Sequence, residues 1–194
     1  MTNVLVSKDK VPAWRVFTAV QLPEALGRKL AQACETAKSK LEFKKWVDER
    51  DYHITLQFLG DVKPEQIGKM TEVLYQAALR CRSFTLKVSG QGVFGRSEAP
   101  SVLWAGLDGD TESLSALQSE VSHTLQPLGF EPERRPYHPH ITLARKYQGE
   151  CPFPSDAGEM IPSLGEWNVD SFVLYRTRLG RAPMYEVLDR WKLR

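Results

Sequence analysis

An α+β fold made of two related lobes is the class this sequence predicts, and three observations predict it. Hydrophobic periodicity alternates between strand-like and helix-like runs in the order β-α-β-α-β-β-α-β-loop-β-β. The tetrapeptide HITL occurs at 53–56 and again at 140–143, each time on a strand-like run that follows a helix-like one. No GxGxxG or Walker pattern is present, which argues against a doubly wound nucleotide-binding sheet.

The elements follow in chain order. WRVFTAVQL, 14–22, is rich in β-branched and aromatic residues and reads as a strand. Pro23 suits the start of a helix, and Leu26, Leu30, Ala33, Ala37 and Leu41 then keep helical spacing. HITLQFL is a strand closed by Gly60 and Asp61; Pro64 opens a second helix through Ile67, Met70, Leu74 and Ala78. SFTLKVSG (83–90) and SVLWAGL (101–107) read as two strands, with GQGVFGRSEAP as the hairpin connection between them. Leu114, Leu117, Val121 and Leu125 share one face of a third helix that stops before Pro127 and Gly129. HITLAR is again a strand. The Pro- and Gly-rich stretch 147–167 reads as a long loop, and strands at about 168–178 and 184–191 close the chain around Gly180–Pro183.

Composition bounds the function. With 42% hydrophobic and 26% charged residues the chain can bury an ordinary core, so a disordered reading is excluded. No apolar run reaches the ~18–20 residues needed to cross a bilayer, and charges interrupt MTNVLVSKDKVPAWR early, so a cytoplasmic protein is expected. The three cysteines, Cys34, Cys81 and Cys151, follow no disulfide or zinc pattern and fit a reducing compartment. A net charge of +2 is too small for coating long nucleic acid but leaves room for a patch that holds a few phosphates. Nothing indicates a coiled coil or an extended apolar face, so a monomer is expected.

On a strand, residues i and i+2 face the same way. His53 with Thr55, and His140 with Thr142, are therefore presented together, while Ile54, Leu56, Ile141 and Leu143 turn to the core. Threonine holds 10 of 194 positions and histidine only 4. Two His-x-Thr matches by accident come out at roughly 1–2%, before the Ile and Leu are required to match. An imidazole and a hydroxyl ~6–7 Å apart along a strand can reach oxygens of one phosphate. Two such pairs suit general acid–base attack on a phosphodiester: one imidazole activates water, the other protonates the leaving oxygen, and the hydroxyls hold the non-bridging oxygens. No metal or other cofactor is needed. The rival metal reading rests on His138 and His140, but no Asp, Glu or Cys stands nearby at useful spacing. His123, in a helical pattern, reads as a surface residue.

KWVDERDYHITLQFLGDV, SVLWAGL, RPYHPHITLAR and LYRTRLGRAPMYEVLDRWKL resemble the bacterial and archaeal RNA 2′,3′-cyclic phosphodiesterases, also called 2′–5′ RNA ligases, of the 2H phosphoesterase superfamily. The resemblance spans about Arg15 to Leu193. It implies one bilobal domain over 1–194 with 1–13 as an N-terminal extension. Each of the two pseudo-symmetric lobes would be an antiparallel sheet with helices on its outer face, around an active-site cleft. It implies metal-free hydrolysis of an RNA-terminal 2′,3′-cyclic phosphate to a 2′-phosphate, with reversible 2′–5′ RNA ligation at the same site. His53 would be the proton donor and His140 the acceptor, with Thr55 and Thr142 holding the phosphate. Substrates would be RNA ends, such as tRNA fragments, or small cyclic nucleotides.

Trp46, Phe94, Trp104 and Tyr185 are candidates for stacking on a base. Arg145 ends the HITLAR run; on strict alternation it faces away from His140 and Thr142 and would sit structurally or at the cleft edge. A second function class stays open at this stage: a non-catalytic module that binds nucleotides or RNA ends with the same cleft.

Overall fold

Each of the three helices buries one apolar stripe and exposes a charged one. A computed structural model describes residues 12–154 and 161–194, so most of the expected N-terminal extension and the middle of the long loop lie outside the described residues. Helix α1 (Glu24–Lys40) follows Pro23 and buries Leu26, Leu30, Cys34 and Ala37. Helix α2 (Pro64–Arg80) buries Met70, Leu74, Ala77 and Ala78. Helix α3 (Thr111–Leu125) buries Leu114, Leu117, Val121 and Leu125. Its N-cap, Asp110, accepts from the Ser113 N–H at 2.9 Å, which satisfies one of the free donors at a helix start. The three stripes share one buried cluster with Val16, Val20, Ile54, Leu56, Leu86, Leu103, Ile141, Leu143 and Leu174 from the sheet. Each fully buried leucine stabilises this layer by about 1.5–3 kcal/mol.

The strands are β1 (Trp14–Gln21), β2 (Phe43–Trp46), β3 (His53–Val62), β4 (Phe84–Arg96), β5 (Ala99–Gly109), β6 (Ile141–Tyr147), β7 (Glu166–Val169), β8 (Ser171–Thr177) and β9 (Tyr185–Lys192). All described pairings are antiparallel. The order is β7-β4-β5-β6-β3-β1-β8-β9, with β2 added to β6. Each half has a motif strand at its inner edge, β6 in one and β3 in the other. The halves join there, through the pair Ile54–Ile141.

Three sequence expectations need correction. Strand β2 was not expected, because four residues with two central lysines carry little strand signal; it forms by pairing with β6 from Phe43–Tyr147 to Trp46–Ala144. The Gly-rich stretch after 90 is not a loose connection: β4 runs through it to Arg96, β5 starts at Ala99, and the turn is Ser97–Glu98. The run expected as one strand at 168–178 is two. Asp170 separates β7, which pairs with β4 at one end of the sheet, from β8, which pairs with β1 in the other half. The apolar alternation continues across that crossing, so local pattern could not reveal it. Among the described residues no helix is long and apolar enough to cross a membrane.

Candidate active site

The two motif strands match in more than sequence. In β3 the register against β1 slips at Leu56, between the pairs Thr18–Gln57 and Ala19–Thr55. In β6 the register against β5 slips at Leu143, between Leu103–Ala144 and Trp104–Thr142. Each HITL thus carries a β-bulge on its leucine, and a bulge resets which side chains share a face. After His and Thr, the next residue on the open face is the fifth beyond the histidine: Phe58 in β3 and Arg145 in β6. Burial agrees, for Leu143 and Ala144 are both in the core while Arg145 is exposed. This corrects the expectation for Arg145, which strict alternation had turned away from His140 and Thr142. Its charge acts on His53, His140 and Tyr185 alike.

Both histidines are oriented by the same device. His53 Nδ1 lies 2.7 Å from the Asp51 carbonyl, and His140 Nδ1 lies 2.7 Å from the His138 carbonyl. A carbonyl accepts only, so Nδ1 carries hydrogen in each ring and the Nε2 lone pair is left for the substrate. Tyr137 donates its hydroxyl to the Thr55 carbonyl at 3.0 Å, which ties the segment before His138 to the other motif strand. Thr142 is buried and Thr55 half-buried, each on its histidine's face.

An aromatic nest surrounds each imidazole. Phe17, Tyr185 and Tyr175 stand at centroid distances of 4.9, 5.0 and 5.9 Å from His53. Phe94 and Trp104 stand 4.8 and 6.3 Å from His140, and 5.4 and 5.1 Å from His138. Of the stacking candidates, Phe94, Trp104 and Tyr185 thus meet the histidines. Trp46 does not join them: it packs against Phe43 and beside the Lys38 ammonium of α1, on the helix-covered side. Phe17, Tyr175 and exposed Phe58 were not singled out from sequence. Their alternation marks them only as strand residues, and nothing local says which face meets the histidine. Trp104 Nε1 and Tyr175 Oη are buried without a hydrogen-bond partner among the described residues. Such groups cost ~1–3 kcal/mol each and concentrate where function tolerates them.

Gly92 explains part of the Gly-rich stretch. A Cβ there would clash with the Cζ2, Cη2 and Cε2 carbons of Trp104, so the indole can pack this closely on β4 only over glycine. Gly92→Ala is expected to push Trp104 off β4, raising KM several-fold and shifting tryptophan emission; an unchanged spectrum and KM would contradict this.

Burial lowers both histidines, and lowers His53 most, to about 4. For His53 the Asp51 carbonyl opposes the fall, while the Arg145 and His140 charges add to it. For His140 the order is burial, then the opposing His138 carbonyl, then the charges of His138 and Arg145. The ordinary value is about 6.5. Between 6.5 and 4 the unfolded chain binds a proton at His53 that the folded chain refuses, so stability falls as pH drops through that window. From pH 7 to pH 5 the loss is expected to be about 2 kcal/mol. Urea midpoints at the two pH values, compared with His53→Phe, check it: the variant should lose less than the wild type.

Among the described residues no group of three His, Cys, Asp or Glu side chains could hold a metal ion.

The family model described as "LigT like Phosphoesterase" matches residues 20–104 and 107–185, each stretch containing one HITL. An RNA 2′,3′-cyclic phosphodiesterase of Geobacillus stearothermophilus is 38% identical over 91% of this chain, which spans 56% of that protein's length. One from Bacillus subtilis is 34% identical over 91% of this chain and 95% of its own. The crystal structure of E. coli LigT complexed with 3′-AMP aligns at a TM-score of 0.75 and 26% identity, covering 94% of this chain and 98% of that one. Family match, relatives and shared architecture agree: this chain belongs to the LigT-like phosphoesterase family of the 2H phosphoesterase superfamily.

Proposed function

We propose that this protein hydrolyses the 2′,3′-cyclic phosphate at an RNA end to a 2′-phosphate, by two-histidine acid–base catalysis. The observation that carries the reading is the repeated strand geometry: His, Thr and a fifth residue on one face, twice, with both Nδ1 atoms held on carbonyls. Curated relatives named RNA 2′,3′-cyclic phosphodiesterase support the substrate class, and the 3′-AMP complex of E. coli LigT supports a nucleotide in the cleft.

In this reading His140 Nε2 takes a proton from the attacking water as its oxygen bonds to phosphorus. The P–O3′ bond breaks, and His53 Nε2 protonates the departing 3′ oxygen. Thr55, Thr142 and Arg145 hold the non-bridging oxygens, where charge builds. With an RNA 5′-hydroxyl in place of water on the same cyclic phosphate, His140 takes the hydroxyl proton, the new P–O5′ bond replaces P–O3′, and His53 protonates the departing 3′ oxygen, which leaves a 2′–5′ phosphodiester. Both proton transfers fall to imidazoles, so the scheme uses no metal. In the free site burial keeps His53 neutral; the substrate anion offsets the Arg145 charge and favours the imidazolium, so the donor takes up its proton as substrate binds. The reading places the enzyme in the cytoplasm as a monomer; the free thiols of Cys34, Cys81 and Cys151 fit a reducing compartment.

The test is turnover of a short RNA ending in a 2′,3′-cyclic phosphate, with EDTA throughout. A 2′-phosphate product is expected. A donor must be protonated, so kcat/KM falls as pH rises above the free-enzyme pKa of His53, while the basic limb of kcat, which reports the complex, lies at higher pH. RNA that binds without conversion overturns the reading in favour of a binding module, and loss of turnover only in EDTA overturns the metal-free scheme.

A further inference from the structure

Asp51 ends the 3-10 turn Glu49–Asp51, two residues before His53, and is 5% exposed. Its carboxylate accepts from the Met184 N–H at 2.9 and 2.8 Å through its two oxygens, and from the Tyr185 N–H at 3.0 Å. A carboxylate this deep is held by such donors, and they in turn depend on it. Met184 precedes and Tyr185 begins β9, where Tyr185 packs edge-on against His53 and against Phe17 at 4.9 Å. The main chain of the same aspartate supplies the carbonyl on His53 Nδ1.

We propose that Asp51 is a positioning residue for His53: its carboxylate fastens the start of β9 across the ring that its own carbonyl orients. The imidazole is thereby presented to the cleft in one orientation and under one cover. This deepens the cyclic-phosphodiesterase reading and rests on it for its kinetic part. Without the carboxylate, the two part-buried N–H groups lose their acceptor, the start of β9 lifts, and water reaches the imidazole. The charged and titratable groups facing His53 are His140 and Arg145 from the β6 side, Tyr175 from β8 and Tyr185 from β9. The largest influence on its basicity is burial. Opening the cover therefore raises the proton affinity of His53.

The experiment compares full-length wild type with Asp51→Asn, Asp51→Ala and Asp51→Glu, using circular dichroism for fold, steady-state hydrolysis of the cyclic-phosphate RNA, and NMR titration of the His53 ring. Losing hydrogen bonds to a charged group predicts kcat lower by about tenfold for Asp51→Asn and about a hundredfold for Asp51→Ala, with KM little changed. The His53 titration moves up toward the ordinary range in both, and Asp51→Glu recovers part of both effects. Folded variants with wild-type kcat, or lowered kcat with an unmoved His53 titration, overturn the proposal. If Asp51→Ala does not fold, near-isosteric Asp51→Asn decides. If wild type makes no 2′-phosphate the catalytic reading fails, and the NMR titration still decides the role of Asp51.

Discussion

Alanine at His140 is expected to lower kcat on a cyclic-phosphate RNA by about 10²–10⁴-fold, and alanine at His53 by a similar factor, because each imidazole carries one proton transfer. His140 precedes β6 and is only half-buried, so its removal should leave thermal stability nearly unchanged. His53 is buried in its aromatic nest, and His53→Ala opens a cavity there as well. Its melting temperature should fall while its circular dichroism stays native. Residues that act as a unit are strongly non-additive. The double variant should therefore be hardly slower than either single one, and single-turnover rates for all three check this. A single variant retaining wild-type kcat would sink the two-histidine scheme.

Arg145→Ala is expected to cost about 10²–10³-fold in kcat/KM, the range for losing one donor to charge that builds in a transition state. Arg145→Lys restores the charge without the planar fork and should recover only part of that loss. The pH dependence separates this role from a packing role. The Arg145 cation lowers the proton affinity of both histidines, so its removal raises both. The basic limb of kcat/KM should then move to higher pH in Arg145→Ala and stay in place in Arg145→Lys. A loss of rate with no such movement would assign Arg145 to structure.

Much of the site can be read from sequence because its first layer is local. His53 with Thr55, and His140 with Thr142, need only the two-residue period of a strand, and the duplicated HITL makes accident improbable. The same period misleads three residues later. It turns Arg145 away from the face of His140 and Thr142 because the bulge at Leu143 depends on pairing with β5, a strand about 40 positions earlier in the chain. Asp51 and Phe17 are further from reach. Their partners, Met184, Tyr185 and Tyr175, lie at the far end of the sequence, and only the antiparallel path β3-β1-β8-β9 brings them together. A charged residue two positions before a strand histidine was the one local sign of Asp51. Trp46 was a stacking candidate only as an aromatic, and pairing with β6 sets it against Phe43 at the edge of the core. The helices were plain because their apolar stripes are self-contained, whereas the crossing at Asp170 was hidden because both strands it separates have buried faces.

Each histidine is held by a main-chain carbonyl two residues upstream rather than by a side-chain carboxylate. A Ser-His-Asp arrangement can be crippled by changing the third residue, but a carbonyl belongs to every residue and no codon change deletes it. The choice of tautomer here is heritable through backbone shape alone. Pro139, between His138 and His140, narrows that shape at one motif. Drift in the neighbouring side chains can therefore alter how fast this site works and what it prefers, while the ring nitrogen offered to the phosphate stays the same.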